Sequence, residues 1–222
     1  MKQITYSGFV RTSDRFYSLG EEIANAITHG IACIASIVGL VFLIIYASGR
    51  GQTLDIVTFS IFGSCLIILY LASTLYHAIP ISKIKSIFRI IDHSAIFLLI
   101  AGSYTPFMLN LLNNATGITI CVIVWIVAIL GVALQPWLIR MGDKINTALY
   151  LMMGWLVIFA FKAVYDALPL PGLILLISGG LLYSLGCIFF VWQRLPYHHA
   201  IWHVFVLAGS ATHYFAILLY TI

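Results

Sequence analysis

Two histidines spaced by four, His199 and His203, open the last apolar stretch of this 222-residue sequence. On an α-helix that spacing leaves two side chains about 40° apart around the axis and about 6 Å apart along it, so both imidazoles can reach one ion. Ser73 and His77 repeat the spacing, Ser-x-x-x-His against His-x-x-x-His, which sets a hydroxyl one turn from a third imidazole. Three imidazoles with a fourth position open is the donor set of catalytic zinc, which lowers the pKa of its water toward about 7. Asp92 is the carboxylate that could hold or deprotonate that water. Glu22, Asn25 and His29 form an i, i+3, i+7 stripe, which either supports the ligands from behind or packs the start of its helix.

These residues must be positioned by helices in a bilayer. The chain is 62% hydrophobic and 8% charged, with mean hydropathy +1.07. Soluble domains carry about 25% charged residues, so eleven basic and seven acidic side chains cannot cover a water-facing surface. The same composition excludes disorder, and continuous apolar runs without period-two alternation exclude an outer-membrane barrel. A net charge of +4 spread along the chain gives no basic patch, and no nucleic-acid partner is expected. Cys33, Cys65, Cys121 and Cys187 sit singly in apolar runs and read as small packing residues.

Stretches free of Asp, Glu, Lys and Arg run over residues 23–49, 56–82, 93–139, 145–161, 167–193 and 195–222. A span needs about 20 apolar residues, so the third stretch is two spans, divided at the turn-rich segment 109–117. The fold class is therefore all-α, an integral bundle of seven transmembrane helices. Residues 1–18 read as a short cytosolic tail without a signal peptide, and residues 19–222 as one transmembrane domain. Ser18 and Glu21 form a capping box that starts the first helix near Leu19. Pro80, Pro136, Pro169, Pro171 and Pro196 are expected at connections, and Pro106 inside the third span, where it bends the helix.

Lys2, Arg11 and Arg15 in the tail, Lys83, Lys85 and Arg89 in the second connection, Arg140 and Lys144 in the fourth and Arg194 in the sixth share one side, against Arg50 and Lys162 on the other. The positive-inside rule then puts the N-terminus in the cytosol and the C-terminus outside. His77, Asp92, His199, His203, Asn25 and His29 all fall near the inner face. Any one of these histidines alone would read as a hydrogen-bonding residue between helices. Several ionisable groups at one depth point to a site, because in a bilayer each is costly without a partner. His93 faces about 100° away from Asp92 and His198 sits at the Pro196 turn, so both are expected to be structural. His213 lies ten residues past His203, about 15 Å along the helix, too far to share an ion. Gly179, Gly180 and the tryptophans read as packing and interface residues.

Four segments carry a resemblance: Glu21-Glu22-Ile23-Ala24-Asn25-Ala26-Ile27-Thr28-His29-Gly30; Leu71-Ala72-Ser73-Thr74-Leu75-Tyr76-His77; Asp92-His93-Ser94-Ala95-Ile96-Phe97 with Ala101-Gly102-Ser103-Tyr104-Thr105-Pro106; and His198-His199-Ala200-Ile201-Trp202-His203. In this order they resemble the bacterial hemolysin III proteins, within the progestin and adiponectin receptor family, which is similar in turn to alkaline ceramidases. The resemblance implies seven helices with the N-terminus inside, zinc on His77, His199 and His203, and Ser73 and Asp92 around the metal-bound water. It also implies amide hydrolysis of ceramide-like lipids, with a membrane lipid as substrate. A short tail and short external loops lead us to expect no protein hormone as partner. The expected protein is a multi-pass protein of the cell membrane, acting as a zinc-dependent hydrolase of acyl amide or ester lipids. Two other readings are a non-enzymatic haemolytic or sensing protein with structural zinc, and a haem-binding cytochrome using paired histidines.

Overall fold

A computed structural model describes residues 17–222, with only the backbone of residue 82. The tail cations Lys2, Arg11 and Arg15, and the absence of a signal peptide, lie outside the described residues. All regular structure among the described residues is helical, and seven helical runs are long and apolar enough to cross a membrane. The first two are α1 (Leu19–Arg50) and α2 (Thr53–Ala78). The third is α3 (Ser82–Pro106) continued by a π-helical segment (Phe107–Leu112), and the fourth is α4 (Ala115–Met141). The fifth joins α5 (Asp143–Gly154), a 3₁₀ segment (Trp155–Ala160) and α6 (Phe161–Ala167). The last two are α7 (Leu170–Val191) and α8 (His198–Tyr220).

Local chemistry explains the ends. The Ser18 hydroxyl accepts from the Glu21 amide at 3.3 Å while the Glu21 carboxylate accepts from the Ser18 amide at 2.9 Å, so the capping box forms and α1 starts at Leu19. The divide in the long third stretch is narrower than the segment 109–117. Leu109 to Leu112 stay helical with a widened π turn, and only Asn113, in the left-handed region at φ 41°, and Asn114 leave the helix. Asn114 then caps α4 by accepting from the Gly117 amide at 3.0 Å. Pro106 lacks an N–H, and the ladder answers by changing register to the π segment that follows it.

Two expectations need correction. Pro136 lies inside α4, not at a connection; the chain turns six residues later at Gly142, whose φ of 102° suits only glycine. A proline near the end of a membrane helix is tolerated where the surroundings take up the freed carbonyl. Lys83, Lys85 and Arg89 belong to the first turns of α3, and Arg140 to the last turn of α4. Helices in a bilayer run past the hydrocarbon into the headgroup layer, where long basic side chains reach water, so charge marks the layer and not the helix end.

The helices pack α1 on α2, α2 on α3, α3 on α4, α7 on α8 and α8 back on α1, with α5 against α3, α4 and α7. The core is apolar, but unlike in a soluble protein the outer surface is apolar too, and polar groups are buried among the helices. On α1, Ile27, Ile31, Ile34, Phe42 and Ile45 are exposed while Asn25, His29 and Ser36 are buried. Lipid accepts the first set without cost, whereas the second must find partners inside. The α2 and α3 backbones approach closely at Gly102, where a Cβ would stand 2.8 Å from Cys65 Sγ. That approach brings the Ser73 and Asp92 ends of the two helices together.

Candidate metal centre

His77 lies in the last turn of α2, and His199 and His203 in the first two turns of α8. All three are buried, and each offers a ring nitrogen within 4.8 Å of the others'. The ring centres of His199 and His203 are 4.6 Å apart, and that of His77 lies 5.0 Å from His199 and 5.3 Å from His203. The spacing along α8 and the packing of α1 between α2 and α8 create this triangle.

The partners of the rings fix which nitrogens hold lone pairs. His77 Nδ1 lies 2.7 Å from Glu22 Oε2; a carboxylate accepts, so Nδ1 carries the proton and Nε2 the lone pair. The Asn25 amide lies 3.4 Å from the same Nδ1. Thr28 directs its hydroxyl hydrogen to the carbonyls of Ala24 and Asn25, both at 2.9 Å, which leaves its oxygen to accept from His203 Nδ1 at 3.1 Å. His203 Nε2 then holds a lone pair as well. Neither Nε2 has a hydrogen-bond partner, nor has either nitrogen of His199. An unsatisfied buried polar atom costs about 1–3 kcal/mol, and here several converge on one point. A carboxylate behind a histidine is also the usual support of a metal-ligating imidazole. The donor set fits a single cation such as zinc.

Ser73 lies one turn before His77 on α2, fully buried, with its hydroxyl unpartnered by ordinary hydrogen-bond geometry. Asp92 on α3 is its neighbour across the helix pair and is also buried. Arg89 directs its guanidinium to Asp143 at 3.8 Å, and His93 Nδ1 lies 3.7 Å from the Asp92 carboxylate. Asp92 is thus placed beside Ser73, about three turns into α3, deeper than an origin at the apolar stretch suggested.

All three residues of the α1 stripe face the cluster. Glu22 and Asn25 reach His77, and His29 stacks on His203 with ring centres 3.4 Å apart and planes 9° from parallel. Three contributors were not singled out from sequence. Thr28 holds His203, Lys85 lies 3.0 Å from the other Glu22 oxygen, and the Tyr17 ring stands 5.1 Å from that of His199. Thr28 precedes His29 and flanks that stripe without belonging to it, so the stripe pattern did not single it out. The remaining histidines are engaged elsewhere: His93 Nδ1 with Arg89 O at 3.0 Å, His198 Nδ1 with Phe189 O at 3.0 Å, and His213 Nε2 with Leu176 O at 3.1 Å. At Gly179 the His213 ring lies so close that a Cβ would overlap it.

Fold and site together define a class: a seven-span helical membrane protein with three histidines gathered at the end of the bundle where α1 begins. Residues 17–214 match the family described as Haemolysin-III related, and the chain belongs to that family. It is 50% identical over 206 residues to a Hemolysin-3 homolog of Bacillus subtilis (strain 168), covering 93% of this chain and 97% of the relative. It is also 50% identical over 202 residues to Hemolysin-3 of Bacillus cereus, covering 91% and 92%. A more distant similarity, 29% over 209 residues, links it to the monocyte to macrophage differentiation factor of Homo sapiens, with 90% of this chain and 84% of that one covered.

Proposed function

We propose that this protein is a zinc-dependent hydrolase of acyl amide or ester lipids, with its site near the cytosolic face of the cell membrane. The observation that carries the reading is the convergence of unpartnered nitrogens from His77, His199 and His203; Ser73 stands one turn from His77 on α2, and Asp92 beside Ser73. Zinc held by those three imidazoles would supply a Lewis acid that polarises an acyl carbonyl and lowers the pKa of water toward about 7.

The chain's own groups do the rest. Asp92 takes the proton of the attacking water as its oxygen bonds to the acyl carbon, and returns it to the amine or alcohol as the C–N or C–O bond breaks. Ser73 donates a hydrogen bond to the substrate carbonyl. Glu22 holds the His77 Nδ1–H and Thr28 the His203 Nδ1–H, so neither ring turns away from the site. An apolar cavity of about 160 Å³ is lined by the exposed Trp155, Phe161 and Ile177 and by Trp202, whose ring stands 5.1 Å from that of His199 and 5.4 Å from that of His203. Its lining suits an acyl chain arriving from the bilayer.

The test is release of fatty acid from ceramide-like and phospholipid substrates by zinc-loaded parent protein and by Asp92→Asn. Retained metal and stability with lost turnover supports the hydrolase; no release from any acyl lipid by fully loaded parent protein rejects it. A second reading, membrane perturbation without catalysis, is favoured by the 50% identity to Hemolysin-3. It predicts dye leakage from vesicles that Asp92→Asn leaves intact. A haem reading requires two imidazoles on opposite faces of a macrocycle and predicts a visible Soret band on purification.

A further inference from the structure

Away from the histidine cluster, a second pocket lies at the same end of the bundle, between the α4–α5 turn and the end of α7. It has a volume of about 470 Å³ and is lined by Asp143, Lys144, Val191, Trp192, Gln193 and Arg194. Lys144 and Arg194 are exposed, and both line this one concavity. Asp143, its acidic member, is already engaged: Oδ2 accepts from Gln193 Nε2 at 3.0 Å, and Oδ1 lies 3.8 Å from the Arg89 guanidinium. The charge left facing the opening is positive.

Two backbone features agree. Helix α5 starts at Asp143 with no side-chain cap, so the positive end of its dipole and its first amides border the pocket. The opposing end of α7 would present carbonyls, but the chain folds back on them. The Trp192 amide bonds Ile188 O at 3.0 Å, the Gln193 amide bonds Val191 O at 3.0 Å, and the Leu195 amide bonds Trp192 O at 3.2 Å. Trp192 itself is exposed beside two cations at the end of a membrane helix, the level at which tryptophan sits among lipid headgroups.

We propose that this pocket binds the phosphate of an anionic phospholipid, with Lys144 and Arg194 on the phosphate oxygens and Trp192 against the glycerol region. The inference stands independently of the hydrolase reading, since it uses none of the residues placed in that site. Each basic residue near an anionic lipid surface contributes enough that two together give about a thirtyfold preference over a zwitterionic lipid of the same chains.

The experiment is competition of phosphatidylglycerol against phosphatidylcholine for the purified protein, read as bound lipid by native mass spectrometry and as a shift in unfolding temperature. Parent protein should prefer the anionic lipid by about thirtyfold, and the preference should fall below about threefold in Lys144→Gln/Arg194→Gln. Arg50→Gln/Lys162→Gln, which removes two cations from the opposite end, should leave it unchanged. Both pairs are exposed, so neither variant threatens folding. Undiminished preference in Lys144→Gln/Arg194→Gln overturns the proposal. Displacement of the lipid by an equal concentration of inorganic phosphate overturns the lipid assignment in favour of a soluble phosphate ligand.

Discussion

A histidine ligates through a lone pair, so the partner of its other nitrogen decides whether it is ready to do so. Glu22 makes that choice for His77 and Thr28 for His203, whereas His199 has no such partner and is held by packing between Trp202 and Phe190. Replacing His77, His199 or His203 with Ala should each drop zinc content from about one per chain toward zero in elemental analysis, because three imidazoles make a site and two rarely hold it. His213→Ala should retain the metal, since its ring is tied to Leu176 on α7. Glu22→Gln should keep zinc but weaken it about 10- to 100-fold against a competing chelator. Unchanged affinity in Glu22→Gln would show that the 2.7 Å contact orients nothing.

At the level of the helices, the site exists because α1, α2, α3 and α8 meet, and small residues let them. Gly102→Val should force α2 and α3 apart at Cys65, costing about 1–3 kcal/mol of stability by overpacking and so lowering the denaturation midpoint. A midpoint within error of the parent would mean that Cys65 yields without moving its helix. Much of this architecture was legible beforehand. Charge-free stretches marked the spans, Ser18 and Glu21 marked the first helix start, and the His-x-x-x-His spacing marked α8 as carrying two rings on one face. Helix ends were less legible, because Lys83, Lys85, Arg89 and Arg140 look like loop residues yet continue their helices into the headgroup layer. Pro136 misled for a related reason, since proline signals a break in water but not within a membrane bundle. The 3₁₀ segment at Trp155–Ala160 left no trace in its own residues; it is stabilised from another helix by Tyr104, whose hydroxyl donates to Gly154 O at 2.7 Å and accepts from the Val157 amide at 2.7 Å. Likewise, the stripe of Glu22, Asn25 and His29 was visible, but only the packing of α1 between α2 and α8 tells which rings it meets.

For the whole molecule, the arrangement of charge and the odd number of spans make one joint statement about the bilayer. If all seven apolar helical runs cross the bilayer, Leu19 at the start of α1 and Tyr220 at the end of α8 must lie on opposite sides. Among the described residues, Lys83, Lys85, Arg89, Arg140, Lys144 and Arg194 belong to the end that also holds the histidines, while Arg50 and Lys162 belong to the other. Cytosolic segments retain Lys and Arg because translocating them is opposed, so the histidine end should face the cytosol and Ile222 the exterior. Arg50 and Lys162 both count against this orientation, but six basic residues against two keep the bias toward the histidine end. An enzyme reporter active only outside the cytosol should therefore work when fused after Ile222 and fail when fused after Gly142 in the α4–α5 turn, with a cytosol-active reporter giving the converse. Adding three Lys residues after Gly51 should begin to scramble that pattern, because orientation depends on the difference in charge between the sides and not on any single residue. A cytosolic signal at Ile222 in the parent chain would place the histidines at the outer face, and a metal centre there would draw its ion and its lipid from the opposite leaflet.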